Sequence, residues 1–329
     1  MMRHRLPTTL ALALLAGCTA ADEPREELSL TEGCVAQLAP DEGSLLILEE
    51  LGPPVLSEVD LADGTDATVF SVPSSGFAYE FDARGSDVVM AYTPPPADGE
   101  SGYDRSTLAR VKDGSIEVLG GSPVEDSWSF YPTWEPSGAG VWFVKSGVGV
   151  EESSMLSRYD LGTGVVSEVV ADATEPAVSP DGEHVAWVAV DAVSGARELV
   201  IGDAGAAEPV SLVGTELGDL GQPFFSSDGA WLYFVVLENT ESNLLLDLLV
   251  PSAQAHSTHD APGDWWRVSV GGGDAERVTW LSTIHYDGAP SVTGDGFVAA
   301  TREGVLHVDG EGESAMLRCM RTARAVGLR

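Results

Sequence analysis

The apolar residues of this chain gather into short unbroken runs, each introduced by a turn signal. The runs cover residues 45–48, 88–92, 141–144, 185–190, 231–236 and 297–300. They are too short for helices and rich in β-branched and aromatic residues, so they read as strands buried on both faces. The turn ahead of the fourth run is Pro180-Asp181-Gly182. Proline presets φ at the first corner, aspartate bonds its own backbone, and glycine takes positive φ without a steric penalty. Degenerate copies stand ahead of the other runs, with turn glycines at Gly43, Gly85, Gly138, Gly229 and Gly296.

A second marker lies between successive copies. Tyr159-Asp160-Leu161-Gly162-Thr163-Gly164 is an extended pair running into a glycine turn, and its counterparts end at Gly64, Gly114, Gly205, Gly272 and Gly310. The two markers alternate strictly, six of each. Hairpin after hairpin, with four short strands per unit, is the pattern of propeller blades. The expected fold is all-β, a six-bladed β-propeller of four-stranded antiparallel blades over residues 34–320, with blades starting near 34, 76, 130, 174, 221 and 288.

The segment Glu175-Pro176-Ala177-Val178-Ser179-Pro180-Asp181-Gly182 followed by an apolar strand resembles the blade repeat of periplasmic TolB-type propellers. Related repeats occur in the propeller domains of prolyl-oligopeptidase-like and dipeptidyl-peptidase-like enzymes. Trp266-Arg267-Val268-Ser269-Val270-Gly271-Gly272-Gly273 with Arg277-Val278-Thr279 is similar to the second half of such a blade. The resemblance covers nearly all of the chain after its leader. It implies a fold superfamily rather than an activity, because no hydrolase module accompanies the propeller.

Residues 1–17 read as an export signal. Arg3, His4 and Arg5 precede an apolar stretch too short to span a bilayer. The stretch ends at Leu15-Ala16-Gly17-Cys18, which resembles a bacterial lipoprotein signal box, so Cys18 is the expected lipid attachment site. Thr19 follows the cysteine, which favours the outer membrane (periplasmic face) or the cell surface. Residues 18–33 form an acidic tether and residues 321–329 a basic, solvated tail. With Cys18 lipidated, Cys34 and Cys319 remain for a disulfide in an oxidising compartment. Their positions at the two ends of the propeller suit a ring-closing bond, the alternative being two buried thiols.

The whole chain carries 52 acidic against 17 basic residues, a net charge of −35. A surface so acidic repels nucleic acid and anionic headgroups alike, so attachment to a membrane is expected through lipid only. No Gly-x-Ser-x-Gly elbow, Walker loop or dinucleotide fingerprint is present.

Two constellations could carry chemistry. His256, His259 and Asp260 on an inserted loop, with His285 or Asp287, could hold a transition metal. Glu125, Asp126, Trp128, Asp172, Glu175, Asp219 and Tyr286 fall on the connectors between blades, where they should rim the channel mouth and could hold a divalent cation. The bland alternative for both is solvated polar loops. The long insertions, residues 94–105, 146–154 and 238–264, all fall on the connector face, and function is expected there. The leading expectation is a lipid-anchored envelope module that binds a protein or peptide, or serves as a scaffold. The second is a metal-dependent hydrolase or lyase with its site at the channel mouth. No cofactor is required by either motif.

Overall fold

Each apolar run becomes a strand whose successive side chains serve two different seams. In the computed structural model Leu46 and Leu48 pack into one hydrophobic cluster while Leu45 and Ile47 pack into another. Leu232 and Phe234 likewise face one neighbour, and Tyr233 and Val235 the other. A blade sandwiched between two blades needs apolar side chains on both pleats, which is why the runs are continuous rather than alternating. The structure describes residues 43–49, 53–73, 75–96, 105–120, 127–147, 154–204, 209–238, 261–291, 296–319 and 323–328.

Five blades follow in chain order. The second consists of β4 (Phe77–Arg84), β5 (Asp87–Thr93), β6 (Thr107–Lys112) and β7 (Ser115–Val118). The third is β8 (Ser127–Trp134), β9 (Gly140–Gly147), β10 (Met155–Asp160) and β11 (Val165–Ala171). The fourth is β12 (Ala173–Val178), β13 (His184–Val190), β14 (Arg197–Asp203) and β15 (Val210–Val213). The fifth is β16 (Leu220–Phe225), β17 (Trp231–Leu237), β18 (Pro262–Ser269) and the two-residue β19 (Glu276–Arg277). The sixth is β20 (Thr283–Pro290), β21 (Phe297–Thr301), β22 (Val305–Val308) and β23 (Ser314–Arg318). A two-residue pairing of β18 with β20 joins these last two at their edges.

The first blade is assembled from both ends of the chain. β1 (Ser44–Glu49), β2 (Val55–Asp60) and β3 (Asp66–Ser71) take their innermost partner from β24 (Ala323–Leu328), which pairs antiparallel with β1 from Leu45↔Leu328 to Glu49↔Ala323. This corrects the expectation of a solvated basic tail. Three arginines in the last nine residues suggested solvent. The strand instead buries Ala323, Ala325 and Val326 and lays the Arg324 guanidinium over the Tyr286 ring at 4.2 Å. An arginine on an innermost strand can keep its charge solvated while its neighbours pack. The first blade's inner strand therefore comes from the carboxyl terminus, not from the stretch near residue 34.

Six hydrophobic clusters form, one at each seam of the ring. The seam between blades six and one holds Leu45, Ile47 and Val59 against Val298, Val305 and Leu317, with Val326 of the closing strand. Outside that core Arg318 pairs with Asp66 of β3. The turn motif is a hydrogen-bonded unit. Ser179 Oγ donates to Asp181 Oδ1 at 2.5 Å, and the same Oδ1 accepts the Glu183 N–H at 2.9 Å. Ser226 and Asp228 repeat it at 2.6 Å, with Gly182 and Gly229 at φ 76° and 72°.

A channel lined by bulged inner strands

The innermost strand of each of blades two to six breaks register once. The bulges fall between Ala78 and Phe81, Phe130 and Thr133, Thr174 and Ala177, Gly221 and Phe224, and His285 and Asp287. In blades three, four and five the bulged residue has positive φ (Tyr131 53°, Glu175 51°, Gln222 55°) and proline follows it. A bulge frees main-chain groups from the ladder, and proline suits the place because it brings no N–H that needs a partner. The bulged residues turn towards the axis, and a cavity of about 370 Å³ opens among them. Its walls run from this bulge level to the Pro136, Pro180 and Pro290 ends of the strands, so it occupies the turn-side half of the channel.

Polar side chains at the bulge level reach across to the next blade. Glu80 Oε2 accepts the Tyr131 N–H at 2.9 Å, and Asp82 Oδ2 accepts the Trp134 N–H at 2.7 Å. Thr133 Oγ1 donates to the Pro176 carbonyl at 2.9 Å. Glu175 accepts the Gln222 N–H, and Gln222 Nε2 donates to the His285 carbonyl at 3.1 Å. Asp287 Oδ2 accepts the Val326 N–H of the closing strand at 3.0 Å. Five of the six seams are thus crossed at the axis by a side chain that satisfies main chain the ladder leaves open.

Burial acts strongly on these acids. It raises Glu80 to about 7, with the Glu175 charge adding to the effect and the Tyr131 N–H opposing it. It raises Asp82 to about 6. Asp287 goes to about 8, again chiefly through desolvation, with the charges of Glu80 and Asp82 contributing. Desolvation and the neighbouring Glu175 and Glu80 push the Tyr131 phenol well above its ordinary value. The Arg197 guanidinium pairs with Glu175. No ion pair among the described residues involves Glu80, Asp82 or Asp287.

The expected site residues scatter on this frame. Glu175, Tyr286 and Asp287 line the cavity. Trp128 does not, and stacks on Phe130 at 5.7 Å, with Tyr79 edge-on at 6.5 Å, nearer the connector end of the strands. Asp172 is half-buried and Asp219 exposed, both outside the cavity lining.

His285 is a correction. It is wholly buried, its Nδ1 accepts the Trp265 indole N–H at 3.0 Å, and its Nε2 lies 3.1 Å from the Gly263 carbonyl. Both ring nitrogens are used, and burial holds the imidazole down at about 4, so it is a neutral pin between β18 and β20 and has no lone pair for a metal. Asp287 likewise spends both oxygens on the Gly288 and Val326 N–H groups. Among the described residues no group of three or more His, Cys, Asp or Glu is placed to hold a metal. Cys18, Cys34, Glu125, Asp126, His256, His259 and Asp260 lie outside the described residues.

Sequence reasoning passed over Glu80, Asp82, Tyr131 and Gln222. A signal existed for the first two: Tyr79-Glu80-Phe81-Asp82-Ala83-Arg84 alternates strictly, placing its charges on one pleat, the one that faces the third blade. For the others it was spacing, since Tyr131, Glu175 and Gln222 each stand before proline and seven residues ahead of a turn glycine.

The fold is therefore a six-bladed β-propeller closed by its carboxyl-terminal strand, with a polar cavity in its channel. Its architecture is of the TolB type. The crystal structure of TolB from Acinetobacter baumannii superposes with a TM-score of 0.62 at 16% identity, over 87% of this chain and 66% of that one. The chain thus spans just under two thirds of the length of that protein. A putative TolB from Agrobacterium tumefaciens gives 0.58 at 16% identity, over 86% and 91% of the two chains. A chain of a nidogen/laminin complex gives 0.61 at 9% identity, over 87% and 98%. Residues 156–280 match the Gmad1 family model, the lipoprotein LpqB beta-propeller domain. No curated protein matches the sequence.

Proposed function

We propose that this protein is an exported, lipid-anchored propeller that binds a protein or peptide partner in the bacterial envelope, and that the partner enters the central channel. The observation that carries the reading is the cavity of about 370 Å³ walled by the bulged inner strands, with Glu80, Asp82 and Asp287 in its lining and in no ion pair among the described residues. A rigid ring of six seams around such a cavity is a binding scaffold, since the lining is fixed by the blades themselves. The turn side of the channel, rather than the inserted face, is the part of the site this cavity favours. Support for the anchor is the Leu15-Ala16-Gly17-Cys18 box together with the match to a lipoprotein propeller family. Outer-membrane or surface placement follows from Thr19 after the lipidated cysteine. Cys34 and Cys319 are the proposed disulfide. Cys319 lies just after β23, and Cys34 is the cysteine left for it once Cys18 is acylated.

The test is comparative capture from envelope extract with the wild-type chain and a Thr133→Trp variant. Thr133 lines the cavity, so the indole would fill it. A partner retained by the wild type and lost by a variant with an unchanged melting curve supports the reading. Equal capture by both sinks it. Mass analysis of the amino-terminal peptide checks the acyl chains on Cys18, and thiol labelling of unfolded, unreduced protein checks the disulfide.

A further inference from the structure

The channel names the chemistry of its occupant. We infer that the cavity receives a single organic cation, a guanidinium or ammonium group on a basic side chain of the partner, bound by the oxygen that Glu80 leaves unspent, with the carboxyls of Asp82 and Asp287, whose oxygens serve main-chain N–H groups, adding charge beside it. This rests on the partner-binding reading above and specifies it.

The protein supplies its own precedent at the same level of the same ring. Glu175 occupies the bulge of β12, gives one oxygen to the Gln222 N–H, and gives the other to the Arg197 guanidinium. Glu80 occupies the bulge of β4 and gives Oε2 to the Tyr131 N–H in the same manner. No guanidinium of the described residues pairs with it, and Glu80 lines the cavity instead. The charges of Glu80 and Asp82 both reach Asp287 and oppose its ionisation.

The described cations near the cavity are committed elsewhere. Arg84 donates to the Pro136 carbonyl at 2.9 Å and to that of Ser137, holding two turns together. Arg197 belongs to Glu175, and Arg324 lies on the Tyr286 ring. The Tyr131 and Tyr286 phenols also line the space, and an aromatic face of this kind can accept a cation. The rest of the lining is largely apolar, with Pro132, Pro176 and Pro223 following the bulges. A charge entering such a space meets concentrated negative potential with little water to screen it.

Entry is coupled to protons. At pH 7 Asp287, held at about 8, is largely protonated, Glu80, at about 7, is half so, and Asp82, at about 6, carries the charge. The first two release protons when a cation arrives, because the opposite charge favours their ionised form. A neutral ligand of the same shape does not cause that release.

Calorimetry on the full mature chain, produced with Cys18→Ser, tests this with three probes: N-acetyl-arginine amide, N-acetyl-citrulline amide and calcium chloride. Titrations at pH 7 in two buffers of different ionisation enthalpy read the protons released. The arginine amide should bind at least tenfold more tightly than the citrulline amide, with proton release. A Glu80→Gln, Asp287→Asn double variant should lose that preference while melting cooperatively. Equal affinity for the two amides overturns the inference. So does calcium binding in place of the arginine amide, or a preference that survives in the double variant. The capture experiment separates the two levels. A partner lost with Thr133→Trp but indifferent to arginine amide keeps the binding function and refutes the cation. Arginine amide binding without any channel-dependent partner keeps the cation site and removes the partner.

Discussion

Asp287→Asn should reverse its effect on stability as the pH is raised. Asp287 ionises near the ordinary aspartate value of 3.8 in the unfolded chain and at about 8 in the folded one. A carboxyl whose folded value is raised binds more protons folded than unfolded. Stability is therefore highest below about pH 4 and is lost progressively as the pH climbs towards 8. Each unit of pH in that window costs about 1.4 kcal/mol, so ionisation of this one group weighs ~5 kcal/mol against the fold at pH 8.5 and ~1.5 kcal/mol at pH 5. Asparagine removes that burden. It also replaces one acceptor by an amide donor, leaving the Gly288 or Val326 N–H facing another N–H, at about 1–3 kcal/mol.

The two effects cross between about pH 4.5 and 6. The variant is expected to be less stable than wild type at about pH 4 and more stable at about pH 8.5. Urea unfolding at fixed ionic strength across this range reads the difference directly, and taking variant minus wild type cancels the many acids common to both. A variant equally destabilised at every pH would show that Asp287 ionises in the native channel as easily as in water. The desolvation argument would then be wrong.

Removing residues 323–329 should abolish the cooperative melt followed by circular dichroism, because the first blade loses its inner strand and the seam beside it loses Val326. A truncated chain melting within a few degrees of wild type would show that β24 is dispensable. His285→Phe should cost about 3–4 kcal/mol in urea unfolding by stranding the Trp265 N–H and the Gly263 carbonyl. Since the imidazole is held at about 4, below its unfolded value, its contribution to stability is present above about pH 6.5 and fades as the pH falls towards 4. The penalty of the variant should shrink in parallel. Gly288→Ala should cost about 2–4 kcal/mol in the same assay, because a Cβ there would stand 2.6 Å from both Phe224 Cε1 and Trp265 Cη2.

The ring was legible in the sequence because its signals are local and repeated. Turn glycines and two-sided apolar runs are set by hairpin geometry, which each blade must satisfy for itself. The closing strand was not legible, because Ala-Arg-Ala-Val-Gly-Leu is short, carries no turn signal and owes its strand conformation to β1, almost the whole chain away. His285 misled for a related reason. A histidine before an acid looks like a ligand until Trp265 and Gly263, brought alongside by the pairing of β18 with β20, claim both nitrogens.

The channel acids hold two roles that a substitution does not separate by itself. Inner strands cannot pack on one another at the axis, so the main chain freed by each bulge must be met by a side chain from the neighbouring blade. Glu80 does this with one oxygen and leaves the other for whatever occupies the cavity, as Glu175 does for Arg197. Scaffold and site are then the same residues, and truncating Glu80 to alanine would strand the Tyr131 N–H as well as remove the charge. Glu80→Gln avoids the confusion, since its carbonyl can still accept from Tyr131 while its amide can no longer attract a cation. If binding depends on charge, this variant keeps the fold and loses the ligand. If it depends only on the shape of the ring, the variant keeps both.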